Sequence, residues 1–330
     1  MKTRAPHKKY KRSDNPPGIR LTSDDDRILL EVYRHDVIDS KTIYRLFPER
    51  TNHKISGRLH KLHDNEFLQR LSKIEEIRVE GGGSLPTPYM LDRHGMQRLH
   101  ELHGLPSKYT RPQERARRRS APFILHDVEL SKFMVSLHQS AKATGKVDFL
   151  YPDEIYRQYA PEILEQKTLP RVVRSRVKFE RHAADEGTIP DGFCMLVYKN
   201  IKEKNRRSLF IEIDRGHATI DPTNRHLRSL KFWSGSSILR KFIIYSSYYR
   251  DRVCQKEFGI PTFQVLTVTT TPDRVKSMQD MWAKRLSGEA PANRFLFTDF
   301  ETMAKHGDDY ITLPIEDATG KLHSIAPKQA

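Results

Sequence analysis

Three apolar segments in the second half of the chain have the length and composition of buried strands. They occur within "IPDGFCMLVY", "RRSLFIEIDRG" and "FQVLTVTT". One long segment of helical period, "SSILRKFIIYSSYYRDRVCQKEFG", separates the second from the third, and "TPDRVKSMQDMWAKRLSG" follows the third as a last helix. The order strand, strand, helix, strand, helix predicts an α/β sandwich with a mixed sheet.

Acidic residues interrupt this apolar pattern at two strand ends. Glu212 and Asp214 lie two residues apart, on one face of a strand where unpaired carboxylates are costly. Asp191 begins the preceding strand, and a hairpin would bring all three acids together. Mg²⁺ or Mn²⁺ takes such oxygen ligands for chemistry on phosphate, so the pattern predicts a metal site for phosphodiester hydrolysis. The alternative is a buried ion-pair cluster that includes Arg215, with Asp191 capping a turn.

The first half of the chain has helical periodicity and then a hairpin pattern. A helix capped by Ser23 is predicted first, followed by helices over residues 40–46 and 52–65. Two strands around the glycine run Gly81–Gly83 and a closing helix complete the pattern. This order predicts a winged helix-turn-helix over residues 21–110, which docks its third helix in the DNA major groove.

The predicted third helix presents basic side chains opposite its apolar stripe. His53, Lys54, Arg58 and Lys61 are therefore expected to contact double-stranded DNA, with Arg58 and Lys61 preferred. The alternative is a solvated basic face of the kind found on many helices. The net charge of +16 agrees with a polyanionic partner, although charge alone does not define a function.

Composition and short motifs exclude several classes of protein. Two cysteines are too few for a disulfide framework, and no segment has the length of a membrane span or the pattern of a signal peptide, so a cytoplasmic location is expected. The sequence contains no GxxxxGK[ST], CxxC or HExxH motif. A P-loop ATPase, a zinc finger and a zinc protease of those types are therefore not expected.

Five segments follow from these patterns. Residues 1–20 are basic and proline-rich, and are predicted to be a disordered arm that either contacts phosphates or keeps the protein soluble. The further expected segments are the winged helix-turn-helix (21–110), a basic linker (111–122), the α/β sandwich (123–290) and a C-terminal extension (291–330). The sandwich opens with a helix whose inward residues are Val128, Phe133, Met134 and Leu137.

The "PD" of "IPDG" and the later "EID" resemble the signature of PD-(D/E)XK nucleases, except that Asp214 occupies the position of the lysine. More specifically, the chain resembles the replication-relaxation family, whose members are linked to plasmid DNA relaxation and replication. The resemblance covers roughly residues 22–285. It is carried by "HDVEL", "IPDG", "FIEIDRG", "LRKFIIYSSYY", "QVLTVTTTPDRVKSM" and "PYMLDRHGMQRL".

The resemblance implies roles for individual residues. Asp191 and Glu212 would be metal ligands, with the carbonyl of Ile213 as a third oxygen and Glu129 as an additional acid. Lys241, on the helix after the strand pair, would replace the missing lysine. Otherwise Asp214 would bind a second cation, or the site would be inactive.

Two functions remain open at this point. One is a Mg²⁺- or Mn²⁺-dependent endonuclease that nicks or cuts DNA, with Asp191, Glu212, Asp214 and Lys241 as catalytic residues. The other is a DNA-binding replication or transcription regulator with a degenerate nuclease fold. A homodimer and complexes with plasmid replication or mobilisation proteins are open as well. The tyrosines at positions 245, 248 and 249 are expected to pack against the sheet.

Overall fold

A computed structural model describes residues 10–74, 85–106, 119–166, 169–199, 205–223 and 230–326. The chain divides into two compact units, Met1–Val135 and Ser136–Ala330. The predicted boundary at residues 122–123 precedes this division. The glycine run of the expected wing and most of the expected linker lie outside the described residues.

The first unit combines helices with a small antiparallel sheet. Its elements are α1 (Ser23–His35), β1 (Ile38–Asp39), α2 (Ser40–Leu46), α3 (Asn52–Asp64), β2 (Leu68–Arg70), β3 (Pro88–Leu91) and α4 (Arg93–His103), and α5 (Ala121–Thr144) begins in it. The strand order is β1-β3-β2, with both neighbours antiparallel. The predicted order of helices and strands is therefore present, and β2 and β3 pair as the hairpin pattern indicated.

The start of α1 corrects one detail of the sequence prediction. Thr22, rather than Ser23, is the N-cap, because its side chain accepts from the backbone N–H of Asp25 while the Asp25 carboxylate accepts from the backbone N–H of Thr22. This reciprocal arrangement is a capping box. Asp24 and Asp26 complete an acidic first turn, which the helix dipole favours.

The segment before α1 is held against the first unit. The Arg12 side chain donates to the carbonyls of His63 and Leu68 and forms an ion pair with the buried Asp92. The backbone N–H of Ser13 donates to Asp64 at 3.2 Å. The arm that was predicted to be disordered over residues 1–20 therefore includes residues with specific contacts to folded structure.

His63 is a buried, neutral histidine at the end of α3. Its side chain is inaccessible to solvent, and its Nδ1 lies 3.2 Å from the carbonyl oxygen of Leu68, to which it donates. Its Nε2 is buried and has no hydrogen-bond partner among the described residues. Burial, assisted by the positive charge of Arg70, lowers the pKa of His63 to about 4.

The low pKa of His63 predicts that the first unit becomes less stable as the pH falls. Its pKa is lower in the folded chain than in the unfolded one, so its contribution is fully present above pH 6.5 and is lost as the pH falls towards about 4. We expect a loss of about 2 kcal/mol in the free energy of unfolding between pH of about 7.5 and 5. Urea unfolding at the two pH values measures it.

The matched control is His53→Gln, which removes an exposed histidine on the same helix and should leave the pH dependence unchanged. His63→Gln should flatten it. Equal pH dependence in wild type and His63→Gln would contradict the assignment.

The second unit is built on a seven-stranded sheet. Its elements after α5 are β4 (Val147–Leu150), α6 (Pro152–Tyr159), β5 (Val173–Phe179), β6 (His182–Thr188), β7 (Gly192–Tyr198), β8 (Arg206–Ile213), α7 (Leu230–Ser234), α8 (Ile238–Asp251), α9 (Cys254–Phe258), β9 (Gln264–Thr269), α10 (Pro272–Arg285), β10 (Phe295–Asp299), α11 (Phe300–His306), β11 (Pro314–Asp317) and β12 (Leu322–Ser324). Short 3-10 turns occupy residues 161–163 and 292–294 of this unit and residues 72–74 of the first unit.

The sheet has the strand order β12-β11-β10-β9-β8-β7-β4. β8, β9 and β10 are parallel, whereas the flanking pairs are antiparallel, so the sheet is mixed as predicted. A core of buried aliphatic and aromatic side chains includes Phe210, Phe242 and Val265 from sheet and helix. The segment 291–330, expected to be a C-terminal extension, supplies three strands of this sheet.

One further prediction is corrected in the second unit. The single long helix expected over residues 236–259 is two helices, α8 and α9, because Arg252 adopts a left-handed conformation with φ of 55° that ends α8. The hairpin of β5 and β6, residues 173–188, is not among the predicted elements. No helix among the described parts of the chain is long and apolar enough to cross a membrane.

Candidate active site

Asp191 and Glu212 lie side by side at the ends of two antiparallel strands. The register pairs Gly192 of β7 with Ile211 of β8, which makes Asp191 and Glu212 the next neighbours across the hairpin. The Asp191 Oδ2 atom accepts a hydrogen bond of 2.8 Å from the backbone N–H of Ile213. The predicted convergence of these two acids is therefore observed.

Helix α8 supplies the groups that face the two acids. Ser237 caps the helix, and Lys241 and Tyr245 lie four residues apart on one face of it. The Lys241 ammonium forms an ion pair with Glu212 Oε2 and lies 3.9 Å from Asp191 Oδ1. The Tyr245 hydroxyl donates to Glu212 Oε1. Lys241 thus reaches the acids from the helix, as the resemblance implied.

Burial and charge shift the pKa values of this group. Only 2% of Glu212 is exposed, and burial raises the pKa of its carboxyl to about 7, with repulsion from Asp191 adding to the effect and attraction to Lys241 opposing it. Burial acts against the charge of Lys241, but the adjacent Glu212 and Asp191 carboxylates raise its pKa. Burial and Glu212 also raise the pKa of Tyr245 well above its usual value.

Asp214 is held by a different set of partners at the same strand end. The Arg274 guanidinium, in the first turn of α10, pairs with both Asp214 oxygens, and its Nη2 lies 3.1 Å from Oδ1. Thr269 donates to Oδ2 at 2.6 Å, and the backbone N–H of Gly216 donates to Oδ1 at 3.2 Å. Asp214 is thus a buried carboxylate whose charge is balanced by a guanidinium. The alternative interpretation of a buried ion pair holds for this residue, with Arg274 as the partner.

The backbone turn after Asp214 needs a glycine. Gly216 has a φ of 83°, a conformation that side chains with a Cβ rarely adopt. Its N–H is thereby directed at Asp214. This geometry explains the "DRG" block that follows the acidic strand.

The donor groups fit a divalent cation only in part. Among the described residues, no group of three or more His, Cys, Asp or Glu is placed to hold a metal ion. Asp191 and Glu212 form a two-carboxylate set, and Mg²⁺ commonly binds through one or two carboxylates and retains several waters. The metal-binding role predicted for these two residues and for Asp214 stays a prediction. The Asp214 carboxylate already forms an ion pair with Arg274.

The four predicted DNA-contacting residues all belong to α3 but differ in their surroundings. His53, Lys54 and Lys61 are exposed. Arg58 donates from Nε to Asp25 Oδ1 at 2.7 Å and from Nη2 to the carbonyl of Arg20, and Asp25 is completely buried. The preferred contact Arg58 therefore stabilises the packing of α1 against α3, which leaves the lysines as the cations available to a ligand.

Sequence reasoning missed two residues that hold the acids. Tyr245 was expected only to pack against the sheet, although its spacing of four from Lys241 places it on the same helix face. Arg274 gave no local signal, because its partner Asp214 lies far away in the sequence. Glu129 lies on α5 in the first unit, whereas Asp191 and Glu212 belong to the second.

The fold and site define an α/β protein with an acid–acid–lysine cluster at a strand end, and the unit that precedes it in the chain combines helices with a small sheet. The chain matches the family model for replication-relaxation over residues 29–262. It therefore belongs to the replication-relaxation family, and this membership supports a role in the replication or relaxation of plasmid or mobile-element DNA. No curated protein and no solved structure gave a significant match to the chain.

Proposed function

We propose that this protein binds double-stranded DNA of a plasmid or mobile element and hydrolyses a phosphodiester bond in it with Mg²⁺ or Mn²⁺. The observation that carries the proposal is the contact of the Lys241 ammonium with the Asp191 and Glu212 pair. Two acids and a lysine at strand ends are the group that the PD-(D/E)XK resemblance requires. Here the lysine comes from α8 instead of from the strand.

Each side chain has a distinct role in this proposal. Asp191 and Glu212 would hold the cation, which supplies Lewis-acid activation of the phosphate. The Lys241 ammonium would stabilise the negative charge that develops on the phosphate oxygens. Tyr245 fixes the Glu212 carboxylate through its hydrogen bond. Asp214 and Arg274 connect the end of β8 to the first turn of α10 and take no part in the chemistry.

The test is the conversion of supercoiled plasmid to nicked or linear DNA. Wild-type protein is expected to cleave with Mg²⁺ or Mn²⁺ and to stop when EDTA removes the metal. Asp191→Asn, purified in parallel, should give no product above background, which excludes a contaminating nuclease. Wild-type protein that shifts DNA in a gel but leaves the plasmid supercoiled with either metal would refute the nuclease proposal.

For the first unit we propose a winged helix-turn-helix that places α3 in the major groove. The order of α1, α2, α3 and the β2–β3 pair supports this, as do the exposed Lys54 and Lys61. The double variant Lys54→Gln/Lys61→Gln is expected to weaken DNA binding about tenfold. It should also reduce the slope of log affinity against log salt by about 1.8, which anisotropy titrations measure.

The control for charge alone is Lys142→Gln/Lys305→Gln, which removes two exposed lysines of the second unit. It should bind DNA within about twofold of wild type. An equal loss in the two double variants would contradict a specific role for α3.

A non-catalytic regulator is the second candidate function. The neutralisation of Asp214 by Arg274 and the enclosure of Glu212 by Lys241 and Tyr245 favour it, because these contacts satisfy the carboxylates without a cation. The cleavage test above separates the two functions. A homodimer and a complex with plasmid replication or mobilisation proteins are further proposals, which light scattering and co-purification test.

A further inference from the structure

The hairpin of β5 and β6 has one face that is open to solvent and strongly basic. Arg174, Arg176 and Lys178 alternate along β5 with buried residues and are all exposed. Neither Arg174 nor Lys178 forms an ion pair with any of the described residues, and Arg176 has only a loose, exposed pair at 3.8 Å with Asp185. We call the row of Arg174, Arg176 and Lys178 the basic row.

The same face ends in two exposed apolar side chains. Val172 and Ile189 are 36% and 52% exposed, and they flank the last pair of the hairpin, Val173 with Thr188, on its outer side. Between Arg174 and Val172 lies Gly187, at which a Cβ would come within 3.1 Å of Val172 and 3.2 Å of Arg174. The absence of a side chain at Gly187 keeps this part of the face flat.

The hairpin is fixed to the elements of the candidate active site. β5 packs against α8, with Val173 and Val177 in the core. Arg240, the neighbour of Lys241 on α8, donates to the Glu186 carboxylate and the Gly187 carbonyl of β6 at 3.0 Å each. β6 leads directly through Ile189 and Pro190 to Asp191. The hairpin and the acid–lysine cluster are therefore connected through α8 and through the short segment from β6 to Asp191.

The chemistry of the row fits a nucleic acid backbone. Alternate residues of a strand are about 6.6 Å apart, so the three cations form a line of regularly spaced positive charges. Arg174 and Lys178 have no acidic partner among the described residues and Arg176 has only a loose one, so the row attracts a linear polyanion, and a two-stranded ribbon fits the DNA major groove.

We infer that the exposed face of the β5–β6 hairpin is a second DNA-binding surface, which holds the phosphate backbone of the duplex that the site acts on. The basic row binds phosphates, and the apolar pair Val172 and Ile189 contacts the DNA next to Asp191. The inference rests on the proposed function, which names DNA as the partner. It does not require that the site be catalytically active.

The experiment measures binding of a short duplex to the full chain in EDTA, so that no cleavage occurs, over about 50 to 200 mM salt. The variant is Arg174→Gln/Arg176→Gln/Lys178→Gln. Its control, Lys256→Gln/Lys276→Gln/Lys305→Gln, removes the same charge from exposed positions of the same unit. A second variant, Arg174→Lys/Arg176→Lys, keeps the charge of the row. Thermal unfolding checks that all three variants are folded.

The hairpin variant is expected to bind at least tenfold more weakly and to lose about 2.7 from the salt slope. The control and the lysine variant should stay within about threefold of wild type. Binding by the hairpin variant within twofold of wild type, or an equal loss in the control, overturns the inference. If the hairpin variant loses DNA binding and wild-type protein cleaves no plasmid, the result supports the second DNA-binding surface and refutes only the nuclease proposal.

Discussion

Replacement of Arg274 by alanine is expected to lower the free energy of unfolding of the second unit by about 3 to 5 kcal/mol. Arg274 pairs with both oxygens of Asp214, whose side chain is only 4% exposed, and it also donates to the carbonyl of Ala218 at 2.6 Å. The variant therefore leaves a buried carboxylate without its cation. Denaturant unfolding monitored by circular dichroism measures the loss.

Two comparisons make this expectation specific. Arg250→Ala breaks an exposed pair with Glu289 and should cost less than about 1 kcal/mol. Asp214→Asn in the Arg274→Ala background should recover part of the loss, since the amide carries no charge. A loss below about 1 kcal/mol in Arg274→Ala would show that water reaches Asp214, and it would reopen Asp214 as a ligand.

Replacement of Lys241 by methionine is expected to reduce plasmid cleavage by about 100- to 1,000-fold. Methionine has a similar length but carries no charge, so it cannot stabilise charge on a phosphate. Glu212→Gln should reduce cleavage at least as strongly, because it removes a proposed metal ligand. Single-turnover cleavage with saturating metal measures both effects.

DNA affinity in EDTA separates chemistry from binding in these variants. Lys241→Met and Glu212→Gln should bind DNA within about threefold of wild type, because Glu212 is buried and the Lys241 side chain, 22% exposed, is paired with it. Asp280→Asn, which removes an exposed acid of the same unit, should cleave normally. Unchanged cleavage in Lys241→Met would refute the role assigned to the lysine.

The sheet strands around the site could be predicted because each is a continuous apolar run that local sequence makes visible. The position of Asp191 before its strand and the hairpin to Glu212 followed from the same runs. The hairpin of β5 and β6 was less visible. β5 alternates strictly, but β6, "HAADEGT", contains only Thr188 of the residues Val, Ile, Thr, Tyr, Phe and Trp that indicate a strand.

The partners of charged side chains could not be predicted, because they depend on contacts between distant segments. Arg58 has the position of an exposed residue on α3, yet Asp25 from α1 binds it. Arg274 reaches Asp214 only because β8 and β9 are parallel and end at the same edge of the sheet. Helical or strand periodicity indicates which face is polar, but it does not identify the atom that a polar group meets.

The contribution of residues 291–330 to the sheet has a consequence for where the protein can be cut. The family match ends at residue 262, before β9 and all three C-terminal strands. A fragment that stopped there would retain Asp191, Glu212 and Lys241 but would lack Arg274. It would also leave β8 with an open hydrogen-bonding edge, which favours aggregation. The smallest stable fragment therefore extends further towards the C-terminus than the residues that the family model matches.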